Sequence, residues 1–501
     1  MLIILPILIP LLTALCGLLV QKASIGRRWF FGISGWIQFG IAIFLVREAW
    51  VNGTQALYLG NWEAPIGITL VLDMLSALMV GMASLMTLAC MIYGFYEQKI
   101  EDKHPLRLPL IQLLLVGMNL SMLTGDLFNL FVAFEVMLLA SYALITLEAD
   151  DWDVRQAFPY VAINIFGSAL FLIGCGFTYG LFGSLNFADI ALQSEQMLAN
   201  GEGSPYQVEL LAMLMVFVFA IKAGAFPLYY WLPNSYPILP PALAGLFSGM
   251  LTKVGVYVLI RWLGTVMPHD LDFIYNVLVW VGIASMFFAV LGAVSRNFIR
   301  GILSFHIPSQ IGFMLLAIGF FTPYAFAAGI FFLIHNIMAK GSLFLCGGVV
   351  TFLCGSDDLK KTGNLWVASP LLGVVFFLQA MSLAGLPPLS GFWGKYMIIR
   401  EGMALGEYVL VGFALAASLL TLFSMLKIWL AAFWTENPDV KPRVDDKRWR
   451  KMTYAVGGIA VVSLFMGLGA QLFVDLSMMA SDHVLDRMGY AEAILTGREF
   501  R

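Results

Sequence analysis

Long apolar runs dominate the sequence from one end to the other. Of its 501 residues 60% are hydrophobic and only 12% are charged, whereas soluble domains carry roughly 25% charged residues. About fourteen runs reach the length of about 20 residues that crosses a hydrocarbon core of about 30 Å. A membrane barrel would instead show short segments of alternating polarity. The sequence therefore predicts an all-α integral membrane protein.

Span limits follow from the apolar runs. The predicted spans are 2–20, 29–47, 69–95, 107–124, 127–147, 155–183, 208–230, 240–265, 274–293, 298–320, 323–354, 369–402, 408–435 and 453–480. The eleventh and twelfth exceed the required length, so we expect a break or a strong tilt in each. The first run lacks a basic start and a cleavage site, which favours a retained helix over a signal peptide.

Basic residues in the loops predict the orientation of these spans. With the N-terminus outside, the inside loops carry 17 Lys and Arg residues and the outside segments carry 6, out of 28 in the chain. Cytoplasmic loops are usually the basic ones. We therefore expect a protein of the bacterial inner membrane with both termini on the outer side, away from the cytoplasm. The net charge of −3 argues against a nucleic-acid partner.

Five charged residues fall inside the predicted spans: Glu135, Lys222, Lys253, Lys340 and Lys395. A charge at membrane depth costs at least a few kcal/mol, so it persists only where it faces protein or water. Burial disfavours the ammonium form, which makes a buried lysine a usable proton carrier. The five charges therefore indicate a pathway for protons or ions. Purely structural ion pairs and snorkelling lysines are the alternatives.

The partners of these charges are also predictable. We expect Glu135 to pair with Lys222 or Lys253, and Lys395 to serve as an exit site or as an interfacial anchor. His335 precedes Lys340 by five residues and could relay protons or bridge two helices.

Three further polar residues are weaker candidates for the pathway. His306 and Gln310 could bridge waters across the tenth span. Lys427 lies near a span end, where it could instead reach the interface. No cysteine or histidine spacing suggests a metal site, and the motif around Lys395 lacks the glycine and the hydroxyl residue of a phosphate-binding loop. We therefore expect no metal, nucleotide or other cofactor.

The seventh and twelfth spans contain a similar six-residue motif. AGAFPL at 223–228 contains Pro227, and AGLPPL at 384–389 contains Pro387 and Pro388. A proline inside a helix removes a backbone hydrogen bond and opens the helix. Broken helices at corresponding positions in opposed directions are typical of two inverted repeats with a site near the midplane.

The charged motifs resemble those of a known family. The glutamate in LFVAFEVMLLASY and the lysines in FAIKAGAFPLYYWLP, GMLTKVGVYVLIR and SGFWGKY look like the antiporter-like subunits of respiratory complex I, membrane hydrogenases and Mrp-type cation/proton antiporters. The segments LGNWEAPIGITLVLDMLSALMV and SFHIPSQIGFM, and a lysine in place of an acid in FWGKY, are similar to the D subunit of Mrp antiporters. Where relatives often have adjacent histidines, this sequence has His335 and Asn336.

This resemblance implies an architecture and a set of pathway residues. It implies fourteen helices, with N-terminal helices at 1–106, five-helix inverted repeats at 107–265 and 274–435, and a basic loop, last helix and tail at 436–501. It also implies that Glu135 pairs with Lys222, that Lys253 and Lys340 relay protons, and that Lys395 is the terminal lysine.

The resemblance further implies a subunit of a hetero-oligomer that exchanges Na⁺, or another monovalent cation, for protons, without enzymatic chemistry of its own. Two alternatives stay open. One is a proton-pumping membrane-arm subunit of an NADH:quinone oxidoreductase or a membrane-bound hydrogenase. The other is a scaffold whose charges only hold the helices in register. The choice of cation, the stoichiometry and the direction of proton flow are not encoded in any recognisable motif.

Overall fold

Helices make up nearly all of the structure, a computed structural model that describes residues 2–19, 25–98, 104–200 and 205–495. A 3₁₀ turn at Leu2–Ile4 opens the chain. The helices of the first part are α1 Leu5–Leu19, α2 Ile25–Asn52, α3 Met74–Glu97, α4 Arg107–Leu123, α5 Leu127–Thr146, α6 Asp151–Phe182, α7 Phe187–Asn200 and α8 Pro205–Ala223. The helices of the middle part are α9 Trp231–Ser235, α10 Pro241–Leu246, α11 Thr252–Arg261, α12 Asp272–Ser295, α13 Ile299–Phe320 and α14 Pro323–Cys354. The last part contains α15 Leu365–Ala368, α16 Pro370–Ala384, α17 Ser390–Ala404, α18 Tyr408–Trp429, α19 Arg448–Leu468, α20 Ala470–Leu485 and α21 Arg487–Ile494.

The helix lengths confirm the all-α membrane fold. Among the described residues, twelve helical segments are long and apolar enough to cross a membrane, and Arg107–Leu123 and Pro370–Ala384 are shorter apolar helices. These two lie where the fourth and twelfth spans were predicted, so the positions agree with the sequence pattern. Peripheral helices expose large apolar side chains such as Trp36, Leu139 and Phe423, as surfaces against lipid or another subunit do.

Two predictions about individual spans were wrong. The third predicted span began at residue 69, but Thr69–Leu72 forms strand β2, which pairs antiparallel with β1, Gln55–Tyr58. Helix α3 starts only at Met74 because the Asp73 side chain accepts a hydrogen bond from the Ser76 amide and caps it. The fourteenth span is divided at Gly469 into α19 and α20. For the eleventh span, where we expected a break or a strong tilt, α14 is continuous over its 32 residues, which leaves the tilt as the expectation.

The most enclosed helices carry the predicted site. The segment Pro241–Val266 is wholly buried, and Ile299–Phe320 and Pro323–Cys354 are nearly so. The first of these contains two π-helical turns, at Phe247–Leu251 and Trp262–Val266. Helices α1, α2 and α6 are mostly exposed in this single chain. The polar residues of interest therefore lie at the centre of the helix bundle.

Candidate functional site

The four predicted pathway lysines are all buried inside the protein. The side chains of Lys253 and Lys340 are fully enclosed, and Lys222 and Lys395 are each 4% exposed. They come from four different helices: Lys222 from α8, Lys253 from α11, Lys340 from α14 and Lys395 from α17. None therefore snorkels to the surface or faces lipid, as a lysine serving only as an interfacial anchor would.

Lys222 lies in the last turn of α8 and bonds to α6. Its Nζ donates to the carbonyl oxygen of Asn164 at 2.9 Å and to the Ser168 hydroxyl at 2.8 Å. The same nitrogen lies 5.9 Å from the centre of the Phe134 ring, which favours a cation. A cavity of about 10 Å³ adjoins these side chains, roughly the volume of one water.

Glu135 does not form the direct ion pair that the sequence predicted. Among the described residues no lysine nitrogen lies within 4.0 Å of its carboxylate. Its Oε1 atom is nevertheless buried without a hydrogen-bond partner, and its charge interacts with Lys222. Glu135 is only partly buried, and it is linked to Lys222 through space rather than by contact.

The first predicted break lies directly after Lys222. Helix α8 ends at Ala223, and Gly224 has a φ of +74°, which favours glycine. The Phe226 amide, freed from the helix, donates to the Ser285 hydroxyl of α12 at 2.9 Å. After Pro227 the chain continues in a 3₁₀ turn at Leu228–Tyr230. The break at this proline is thereby confirmed.

Lys253 follows a π-helical turn that the sequence pattern did not reveal. Its Nζ donates to the Ser248 carbonyl oxygen within that turn, at 2.5 Å. A π-turn inserts an extra residue into the helix, and such turns are frequent at functional sites. The apolar periodicity of the segment carries no signal for it, because every residue of the segment is buried.

Lys340 is electrostatically coupled to two other buried lysines. Its Nζ donates to the Leu303 carbonyl oxygen of α13 at 3.1 Å, and its charge interacts with those of Lys253 and Lys395. Three amines thus share one buried neighbourhood. Because like charges disfavour each other, the protonation of one lysine lowers the proton occupancy of its neighbours.

Polar side-chain atoms without hydrogen-bond partners occur on both α13 and α14. Both amide atoms of Gln310 and of Asn336 are unpaired, as are Nδ1 of His306 and Nε2 of His335. Contacts of Lys340 with Leu303 and of Phe332 with Phe313 show that the helices run antiparallel here. This register places Gln310 near the level of His335 and Asn336.

Both histidines use their second ring nitrogen to hold a serine. His306 Nε2 lies 2.6 Å from the Ser424 hydroxyl of α18. His335 Nδ1 lies 2.9 Å from the hydroxyl of Ser390, the first residue of α17. Ser390 also contacts the Ser382 and Ser463 hydroxyls, at 3.1 and 3.3 Å. The sequence pattern gave no reason to select these serines.

Lys395 lies beside the second predicted break. Its Nζ donates to the Ala384 carbonyl oxygen at 3.1 Å and lies 4.8 Å from the centre of the Phe313 ring. Helix α16 ends at Ala384, and α17 begins after Pro387 and Pro388. The break at these prolines is confirmed, and Lys395 turns inward rather than toward a membrane interface.

Lys427 is placed apart from the other lysines. Its Nζ donates to the carbonyl oxygens of Val294 and Arg296, at 3.2 and 2.6 Å, and to Asn297 Oδ1 at 2.8 Å. These oxygens lie at the C-terminal end of α12, where helix carbonyls lack partners within the helix. The geometry matches a helix cap.

Known proteins resemble this chain along its length. Residues 124–421 match the family model described as NADH:quinone oxidoreductase/Mrp antiporter, TM. The D subunit of the Na(+)/H(+) antiporter of Alkalihalophilus pseudofirmus is 39% identical over 99% of both chains. The protein of the same name from Bacillus subtilis is 36% identical over 98% of this chain and 99% of its own.

A solved structure shares the fold. A chain in the structure of the Mrp complex from Dietzia sp. DQ12-45-1b superposes with a TM-score of 0.92. It is 32% identical, and the match covers 98% of this chain and 99% of that chain. On the family match and the full-length similarity, the chain belongs to the NADH:quinone oxidoreductase/Mrp antiporter family of transmembrane proteins.

Proposed function

We propose that this protein is a subunit of a multisubunit Na⁺/proton antiporter, or of one for another monovalent cation, and that it provides the proton pathway. The observation that carries the proposal is the set of four buried lysines with unpaired polar atoms between them. A rigid scaffold would gain nothing from six unpaired buried atoms, since each costs about 1–3 kcal/mol. The names and complexes of its relatives agree with the same role.

Water is the natural partner of the unpaired atoms. Buried polar atoms in proteins are nearly always hydrogen-bonded, to protein or to ordered water. Waters at Gln310 and Asn336 would connect Lys340 to His335. Beyond Ser390, they would also connect His335 to Lys395. The amide side chains cannot hold a proton at neutral pH, so in this segment protons would move along waters between titratable groups.

The lysines would act as coupled proton carriers. Because Lys340 interacts with both Lys253 and Lys395, loading one amine favours release from the next. Glu135, by its negative charge, would favour the protonated form of Lys222 without binding it directly. A change of charge at one end of the series can thus be transmitted to the other end. Such a series transfers protons and changes no covalent bond, which is the activity of a transporter rather than of an enzyme.

The broken helices would give these carriers access to the two sides of the membrane. We place one water-filled half-channel at the break near Pro227 and one at the break near Pro387 and Pro388. The repeats at 107–265 and 274–435 would be inverted relative to each other, and both termini would lie outside a bacterial inner membrane. The amides and carbonyls freed at each break offer hydrogen bonds to water.

The test uses the whole complex in everted membrane vesicles. Lys222→Ala should leave assembly intact and abolish Na⁺-dependent proton flux, measured with a pH-sensitive dye. Lys361→Ala, at an exposed lysine outside the spans, serves as the matched control and should retain flux. Intact flux in the assembled Lys222→Ala complex would contradict the proposal and favour a scaffold. Flux that depends on electron donors rather than on Na⁺ would favour a redox-linked pump.

A further inference from the structure

A second buried ionic site lies at the C-terminal end of α11. Arg261 Nη1 and Asp73 Oδ2 are 2.5 Å apart, and the two side chains are 4% and 0% exposed. The Asp73 carboxylate also caps α3. Neither residue belongs to the lysine series, and removing one partner of such a pair would leave an uncompensated buried charge.

The pair is connected to Lys253 along one face of α11. Lys253, Tyr257 and Arg261 follow one another at four-residue spacing, so their side chains share a face. Arg261 Nη2 donates to the Tyr257 hydroxyl at 3.4 Å, and that hydroxyl donates to the Met122 carbonyl oxygen at 2.5 Å. At 1.5 Å per residue, Arg261 lies about 12 Å along the helix from Lys253.

The surroundings hold the guanidinium in place. Its central carbon lies 5.6 Å from the ring centres of both Tyr257 and Tyr490. Tyr490 belongs to α21, and the Thr265 hydroxyl one turn further donates to the Val484 carbonyl oxygen of α20 at 2.8 Å. The ion pair is therefore surrounded by four elements, α3, α11, α20 and α21. They enclose the C-terminal end of the α11 face that carries Lys253, Tyr257 and Arg261.

We infer that the Asp73–Arg261 pair is a barrier that stops protons at Lys253 from escaping along α11, so that they pass to Lys340 instead. A guanidinium has five donors, no acceptor and a permanent charge, so it can neither accept a proton nor release one. Asp73 compensates the charge and fixes its position. The inference rests on the proposed function of Lys253.

The experiment replaces both charges at once in the complete complex. The double variant Asp73→Asn with Arg261→Gln keeps a side-chain oxygen that can cap α3. It replaces the two charged groups by amides, which can hydrogen-bond to water. In everted vesicles without Na⁺, an imposed proton gradient should decay faster than in the wild type. Adding Lys253→Ala should return the leak to the wild-type rate.

The controls separate a barrier from a structural pair. Arg487 and Glu195 form another ion pair, in which the two side-chain atoms are 2.5 Å apart. This pair also involves α21 but does not lie on the face of α11, so the double variant Glu195→Gln with Arg487→Gln should not leak protons. Asp73→Ser with Arg261→Gln, which also retains a cap, serves if the first double variant does not assemble, with the same expectation. An assembled double variant without a leak, or a leak that survives Lys253→Ala, overturns the inference. Full antiport by Lys253→Ala alone would instead refute the proposed function.

Discussion

The ammonium group of Lys395 donates a hydrogen bond of 3.1 Å to the carbonyl oxygen of Ala384, across the break between α17 and α16. Ala384 is the last residue of α16, where carbonyl oxygens have no partner within the helix. The negative end of the helix dipole also favours a cation there. The break therefore holds the lysine inside the bundle and faces it toward Phe313.

The glycine between these residues gives the first prediction. Gly385 has a φ of +93°, and a Cβ atom there would lie 2.9 Å from Lys395 Cδ. Gly385→Ala should lower stability by about 1–2 kcal/mol through backbone strain and should also displace the lysine and reduce antiport. Gly406→Ala is the matched control, because Gly406 has a φ of +78° with no atom within 4 Å. Thermal unfolding of the purified complex and vesicle flux measure the two effects. Equal loss of flux in both variants would contradict a specific role for the contact with Lys395.

Neutralising Glu135 should impair transport without harming assembly. Among the residues that the structure describes, Glu135 has no ion-pair partner, and it is partly exposed, so Glu135→Gln removes charge and little packing. Loss of this negative charge near Lys222 should slow Na⁺-dependent flux. Glu209→Gln, at a partly buried acid in α8, should leave flux unchanged. If Glu135→Gln transports at the wild-type rate, the acid has no part in loading Lys222.

The hydroxyl of Ser390 should matter through His335. Ser390→Ala leaves both ring nitrogens of that buried histidine without a protein partner, at a cost of about 1–3 kcal/mol. We expect a lower melting temperature of the complex and slower proton flux, and Ser390→Thr should partly restore both. The control is Ser342→Ala, because the Ser342 hydroxyl bonds only to carbonyl oxygens of its own helix. A melting temperature equal to that of the control would show that the serine does not orient the histidine.

Lys427 should prove to be a stabilising residue rather than a carrier. It bonds to three oxygens at the end of α12, and Lys427→Met leaves these without that donor. The amount of assembled complex, measured by native electrophoresis, should fall, as expected from a loss of about 1–2 kcal/mol. Flux per assembled complex should stay the same, and Lys427→Arg should restore assembly. Normal assembly with lost flux would return Lys427 to the pathway.

The break at Pro227 shows how far local sequence predicts structure here. A proline after Gly224 within an apolar run is a local signal, and it correctly placed the end of α8 near Lys222. The same reasoning placed the break at Pro387 and Pro388. The excess length of α14 predicted a break or a tilt, and this helix, which has no proline beyond its first residue, is continuous. The sequence pattern missed the π-turn before Lys253, because a fully buried segment has no polar face whose periodicity could shift.

The partners of the charges could not be predicted from the sequence. The sequence selected Lys222 because a lysine inside an apolar run is rare, but its contacts, Asn164 and Ser168, lie more than fifty residues away. The expected contact with Glu135 is absent, and the ammonium group of Lys222 bonds to α6 instead. Serines such as Ser390 are common in membrane helices, so only their position beside a histidine distinguishes them.

The sequence by itself determined that the chain is a bundle of membrane helices with five charges at membrane depth. Hydrophobic length and the cost of burying charge are local properties of the chain, so they can be read without knowing the fold. Only the tertiary structure decided which groups meet: Lys340 with the Leu303 carbonyl, His335 with Ser390, and Arg261 with Asp73. Those pairings depend on the rotation and register of packed helices, which are set by the shapes of many side chains together.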